Sequence, residues 1–153
     1  MANTYTQIHI HVVFAVKFRD AAIQNPWKHD LYKYVTGIVQ NNGHKLIAIN
    51  GMSDHVHILI GMRPVQSLSV LMQDIKANSS RWVNEKQFVK ARFEWQEGYG
   101  AFSYAKSQLG QVIRYIENQE EHHRKRSFRE EYLEFLEKFE VDYNEQYIFN
   151  DML

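Results

Sequence analysis

Three observations predict an α+β fold for this chain. Strand-type alternation occurs in several short segments, helix-period apolar stripes lie between them, and cap and turn residues stand at the junctions. The first element is a strand. From Thr6 the even positions are Thr6, Ile8, Ile10, Val12, Phe14, Val16 and Phe18, and the odd ones are Gln7, His9, His11, Val13, Ala15 and Lys17. This alternation gives one apolar and one mostly polar face.

A helix follows, with Asn25 as its cap, Pro26 in its first turn and Gly43 at its exit. Trp27, Leu31, Val35, Ile38 and Val39 recur along it at helical spacing. Two strands come next, Lys45 to Ile49 and His55 to Met62, with a tight turn expected at Asn50-Gly51. A second helix runs from Leu68 to Glu85, burying Leu68, Leu71, Met72, Ile75, Trp82 and Val83. Phe93 to Tyr104 reads as a fourth strand interrupted near Gly98-Tyr99-Gly100, and Ser107 to Arg124 as a third helix. A fourth helix opens at the capping box Ser127-x-x-Glu130 and carries Tyr132, Phe135, Leu136 and Phe139.

The first six elements follow the split βαβ order. They predict a ferredoxin-like (RRM-like) antiparallel sheet with helices on one face, plus additional C-terminal helices. The other face of the sheet is expected to be open for chemistry or ligands. Such a fold says little about function by itself.

The chain has 153 residues, enough for one domain with a real core, and no linker-like segment divides it. We therefore expect a single domain over 1–153, with an acidic helical tail over about 127–153. Cysteine is absent, which excludes disulfides, thiolate metal sites and cysteine nucleophiles, and fits a cytoplasmic location. Met1 to Thr6 lack a signal-peptide pattern, and the longest apolar run, Val12 to Val16, is too short to span a membrane. The 18 basic and 18 acidic side chains balance, an unusual state for a nucleic-acid binder. The acids crowd the end, however, at Glu130, Glu131, Glu134, Glu137, Glu140, Asp142 and Glu145, and leave the remaining body net basic.

His55 and His57 lie two apart on a strand, so both imidazoles project from one face while Val56, Ile58 and Ile60 turn into the core. Two imidazoles so placed can chelate a metal, although an isolated H-x-H is more often a pair of surface or packing residues. His9 and His11 form a second H-x-H on the first strand, which is expected to neighbour the third, and the motif does not choose between the pairs. On the third helix, Leu109, Val112, Ile113 and Ile116 form the apolar stripe. Tyr115, Gln119 and His122 lie on a separate line at i, i+4 and i+7. That line reads either as a nucleophile beside a metal ligand or as a tyrosine at the core rim beside a solvated glutamine.

Asp54-His55-Val56-His57-Ile58-Leu59, followed by Tyr115-Ile116-Glu117-Asn118-Gln119, resembles the insertion-sequence transposases of the HUH (histidine, hydrophobic, histidine) single-tyrosine class. The similarity takes in His11 to Arg19, Ile75 to Trp82, Trp95 to Tyr104 with Gly98-Tyr99, and Phe128 through Tyr147. The resemblance implies that His55, His57 and Gln119 hold one divalent ion, Mg²⁺ or Mn²⁺. It also implies that Tyr115 cleaves and rejoins single-stranded DNA through a 5′-phosphotyrosine, releasing a 3′-hydroxyl. Three neutral ligands would leave the ion's full charge to polarise a phosphate, and imidazole with amide suits Mn²⁺ better than Mg²⁺. The covalent bond would keep the phosphodiester energy, so that a 3′-hydroxyl can reverse the step. The implied partners are hairpin DNA ends of an insertion element and a second copy of the chain, with Tyr115 acting in cis or in trans.

His11, Lys17, Arg19, Lys76 and Arg81 are candidate DNA contacts, with His11 alternatively orienting a ligand. Arg114 is a further candidate phosphate contact, and Arg124-Lys125-Arg126 can equally answer the helix dipole. His122 reads as a solvated surface histidine. The acidic last helix is expected to be structural or an interface element. Other readings of the pattern are a domesticated or non-mobile HUH endonuclease and a non-catalytic nucleic-acid-binding module on the same fold. A hydrolase using water and a replication or conjugation initiator are also compatible with parts of it.

Overall fold

The computed structural model describes residues 3–153; Met1 and Ala2, the start of the N-terminal stretch read above, lie outside the described residues. Strands β1 (His9–Ala15), β2 (Lys45–Met52), β3 (His55–Gly61) and β4 (Gly100–Tyr104) form one antiparallel sheet in the order β2-β3-β1-β4. Helix α1 (Asn25–Asn41) links β1 to β2, and α2 (Leu68–Lys86) links β3 to β4. The chain finishes with α3 (Leu109–Glu117), α4 (Gln119–His123) and α5 (Phe128–Lys138). The ferredoxin-like order is thus present, with β1 and β3 at the centre.

The two faces of the sheet carry separate cores. Val12, Phe14, Val56, Ile58 and Ile60 pack against Trp27, Leu31 and Val35 of α1 and Leu71, Met72 and Ile75 of α2. The opposite face, expected to be open, is covered. Val13, Ala15 and Phe102 pack against Phe128, Tyr132, Phe135 and Leu136 of α5, while Leu59 and Ala48 meet Val112 and Ile116 of α3. The reason lies in the composition of that face: apart from its histidines it is apolar, and such area is not left in water. Ile148 and Phe149 close the edge of this second core. Backbone hydrogen bonds between Leu153 and both Lys17 and Arg19 tie the terminal segment to the end of β1.

Several boundaries differ from the sequence reading, each for a local cause. The β2–β3 turn falls at Ser53-Asp54. Gly51 lies inside β2 opposite Val56, where a Cβ would stand 2.1 Å from the His55 carbonyl oxygen. Glycine is needed there for close approach, not for a turn. Gln24, not Asn25, is the N-cap residue of α1. Only Gly100–Tyr104 of the expected fourth strand joins the sheet, because Gly98 turns the chain at φ 82°; Trp95 makes a lone bridge to Val16.

The expected third helix is broken. It begins as a 3₁₀ turn over Lys106–Gln108, continues as α3 and stops at Asn118 (φ −98°, ψ 30°) before α4. At the break the Asn50 side-chain amide donates to the carbonyls of Ile116 and Glu117 at 3.0 and 3.1 Å. A side chain from β2 thereby satisfies carbonyl groups at the helix end.

Candidate metal and nucleophile site

His55 and His57 project from β3 into the layer between the sheet and the C-terminal helices, and neither is exposed at all. Each ring is held through Nδ1. His55 Nδ1 is 2.7 Å from Asp54 Oδ1, and His57 Nδ1 is 2.7 Å from Nε2 of His11. Both Nε2 atoms are therefore aimed at the same interior point. The His55 Nε2 lies 2.9 Å from Gln119 Oε1, and the His57 Nε2 lies 3.1 Å from Glu131 Oε1. Partners on the far nitrogen that fix ring orientation are the usual support of metal-binding histidines. The Phe128 ring stacks on His55 with centroids 4.1 Å apart.

Tyr115 reaches this point from α3. Its hydroxyl donates to Glu131 Oε2 and receives a hydrogen bond from Arg126 at 3.0 Å. Its ring stacks on His122 at 4.4 Å and stands 6.0 Å from His57. Gln119, first residue of α4, is fully buried; its Nε2 donates to Glu131 Oε2 at 3.3 Å. The four residues singled out in the sequence therefore meet within one chain. The Tyr115–Gln119 face is not solvated, as its geometry alone suggested, but is packed under α5.

Glu131 is the residue that sequence reasoning missed. It sits in the first turn of α5, where an acid is also what a helix N-terminus favours, and it was absorbed into the acidic tail. Its side chain is 1% exposed, and His123 Nε2 also approaches it, at 3.2 Å. Among the described residues, His55, His57 and Glu131 present ligand atoms all within 4.8 Å of one another. The only advance signal was periodicity: Glu131 shares the inward line of Phe128, Tyr132 and Phe135.

Electrostatics differ sharply between the two histidines. Burial pushes His55 down, but hydrogen bonds and charge from Asp54 and Glu131 prevail and raise it to about 9. Burial dominates at His57, which falls to about 4 despite Glu131. Burial would also lift Glu131, yet hydrogen bonds from His123, His55 and His57 hold it well below the usual carboxylate range. Tyr115 is raised far above an ordinary phenol, first by burial and then by the Glu131 charge, with Arg126 opposing.

In protein stripped of metal, the raised His55 contributes stability that is complete below its unfolded value of 6.5 and is lost as pH rises through about 9. The expected result is a thermal midpoint that falls between pH 6.5 and 9 in chelator-treated wild type. In a His55→Gln variant this component of the slope should be absent. A wild-type midpoint that rises across this window would contradict the charged His55–Asp54–Glu131 arrangement.

The candidate DNA contacts separate by position. His11 is fully buried between His57 and Phe135, with its Nε2 2.7 Å from His57 Nδ1. Lys76 donates to the carbonyls of Gln96 and Gly98, bracing the loop before β4, and Arg81 is exposed farther along the same helix. Both lie on α2, across the sheet from the site. Lys17 and Arg19 follow β1 near the Asp54 end, and Arg114 is exposed on α3. Arg126, read as helix-end charge, instead touches the tyrosine hydroxyl. A cavity of about 260 Å³ opens beside that hydroxyl, lined by Tyr104, Gln108, Gln111, Arg126 and Lys138 among others.

A strand-borne histidine pair facing a helix-borne tyrosine and glutamine defines an HUH site of the single-tyrosine type. The sequence profile described as "Transposase IS200 like" matches residues 4–119, most of the chain. The chain belongs to the IS200-like transposases, single-tyrosine enzymes of the HUH class. It is 25% identical over 118 residues to the ISDra2 transposase TnpA of Deinococcus radiodurans, a match covering 74% of this chain and 84% of the relative. It is also 25% identical over 125 residues to the transposase for insertion sequence element IS200 of Salmonella typhimurium, covering 78% and 81%.

Two solved structures share the fold. One is a crystal structure of a transposase candidate from Deinococcus radiodurans (TM-score 0.62, 23% identity, 78% of this chain and 95% of that one). The other is a REP-associated tyrosine transposase bound to a REP hairpin (TM-score 0.60, 12% identity, 80% and 73%). Among the described residues no helix is long and apolar enough to cross a membrane.

Proposed function

We propose that this transposase cleaves and rejoins single-stranded DNA at hairpin-bearing ends, with Tyr115 as nucleophile and His55, His57 and Gln119 holding Mg²⁺ or Mn²⁺. The observation that carries this reading is the convergence of Tyr115 Oη, both Nε2 atoms and the Gln119 amide on one buried point. The donor set fits a divalent ion: two imidazoles are locked by Asp54 and His11, and amide and carboxylate oxygens face them. When bound, the ion supplies Lewis-acid polarisation of the scissile phosphate.

The chain's own residues do the rest. Arg126 and the Glu131 carboxylate fix the phenol from two sides, so that its oxygen is held in one place. Tyr115 Oη forms a bond to phosphorus as the bond from phosphorus to the 3′-oxygen breaks. The departing strand gains the proton that the phenol gives up, and the exchange is proton-neutral. Reversal by another 3′-hydroxyl reseals the strand. The hairpin partner follows from the relative whose structure holds one, and single-stranded cleavage from the tyrosine chemistry.

Because one chain brings all four groups together, the reading has Tyr115 acting in cis in this arrangement. Pairing of two chains, expected from the resemblance, would then serve strand exchange and not completion of a site. Mixing Tyr115→Phe protein with His57→Ala protein tests this. The expected outcome is no cleavage beyond either variant alone. Substantial recovery in the mixture would show that the tyrosine works on a partner's histidines.

A further inference from the structure

We propose that Glu131 is itself a ligand of the divalent ion, so that α5 adds an anionic oxygen to the set made by His55, His57 and Gln119. This rests on the metal reading above but extends it to a part of the chain beyond residues 4–119, where the family profile ends. The geometry is direct. Glu131 Oε1 lies 3.1 Å from His57 Nε2 and 3.4 Å from His55 Nε2, as close to the two ligand nitrogens as a common coordination centre requires. Its other oxygen accepts from Tyr115 Oη and Gln119 Nε2, so Oε1, which His123 Nε2 also approaches at 3.2 Å, is the oxygen that would bind, in a single-oxygen mode.

Burial supports the same assignment. The carboxylate is 1% exposed, and a carboxylate taken out of water is costly unless positive charge faces it. Its nearest neighbours are three imidazoles, a phenol and an amide; the nearest guanidinium, Arg126, hydrogen-bonds Tyr115 and pairs with Glu134. In metal-free protein that charge falls to a protonated His55 3.4 Å away, and a divalent ion between these groups takes its place. A carboxylate also changes the chemistry of the site. The ligand set becomes two nitrogens and two oxygens with one negative charge, which suits Mg²⁺ and Mn²⁺ better than neutral ligands alone. Since the same carboxylate holds the tyrosine hydroxyl, ion occupancy and nucleophile position are linked through one side chain.

The test is Mn²⁺ binding without DNA, followed by calorimetry and by Mn²⁺-induced thermal stabilisation, for wild type, His57→Ala and Glu131→Gln. Wild type is expected to bind. His57→Ala should lose binding, and Glu131→Gln should weaken it by about 100-fold or more, beyond the effect of losing an outer-shell partner. If wild type and His57→Ala behave alike, the histidine metal site itself is wrong. If His57→Ala loses binding while Glu131→Gln binds as tightly as wild type or tighter, the metal site stands and the Glu131 assignment falls. Should Glu131→Gln not fold, electron–nuclear double resonance of Mn²⁺ in wild type made by cell-free translation with δ-carboxyl-¹³C glutamate, unlabelled glutamine and glutamine synthesis inhibited decides the matter. A ¹³C coupling is expected, and its absence overturns the proposal.

Discussion

Tyr115→Phe is expected to reduce single-strand cleavage by on the order of 10⁴-fold or more, the scale seen when a covalent nucleophile is removed. The change is conservative for the fold. Phenylalanine keeps the ring stacked on His122 and edge-on to Phe135. It gives up the hydrogen bonds to Glu131 and Arg126, at about 1–3 kcal/mol of stability for buried partners left unpaired. A circular dichroism spectrum close to wild type and a thermal midpoint lower by roughly 3–10 °C should accompany the loss. Mn²⁺ affinity should also change little, since the phenol is not among the proposed ligands. Cleavage near the wild-type rate by a folded Tyr115→Phe protein would favour a water nucleophile, the hydrolase reading.

His57→Ala is expected to cost about 10³-fold in cleavage, several kcal/mol of lost charge stabilisation at phosphate. Its effect on binding should be as clear as its effect on rate. The His57 ring is stacked on His11 and contacts Glu131, so its removal deletes a proposed ligand nitrogen, leaves His11 Nε2 without its partner and opens part of the carboxylate's environment at once. Treating wild type with EDTA should reproduce the loss of cleavage, and added Mn²⁺ should restore wild type but not the variant. Cleavage that survives EDTA, or a His57→Ala protein that Mn²⁺ fully restores, would remove the metal from the mechanism.

The two histidines were legible in the sequence because strand alternation is unambiguous: Val56, Ile58 and Ile60 could face only the core, leaving His55 and His57 together. Choosing them over His9 and His11 needed the resemblance, and the structure gives His11 a supporting place behind His57. Tyr115 and Gln119 were legible as a pair, but not their burial. Helical spacing predicts which residues share a face and is silent on what covers it. The covering helix was visible as Phe128, Tyr132 and Phe135, yet its target was not, since a sheet face bearing four histidines reads as wet. Glu131 was hidden for the same reason. A carboxylate beside Glu130, Glu134, Glu137 and the other tail acids looks solvated until the tertiary contacts that bury it are known. The break at Asn118 depends on Asn50 from a distant strand, a pairing that no local pattern encodes.

Peptide mapping of the protein–DNA adduct tests the central claim most directly. Wild type is incubated with a single-stranded hairpin oligonucleotide from an insertion-element end and Mn²⁺, denatured in SDS, digested and analysed by mass spectrometry. The expected product is a covalent complex whose 5′-phosphoryl nucleotide lies on the peptide containing Tyr115, together with a released strand ending in a 3′-hydroxyl. Cleaved DNA with free 5′-phosphates and no adduct, or an adduct on another residue, would contradict it.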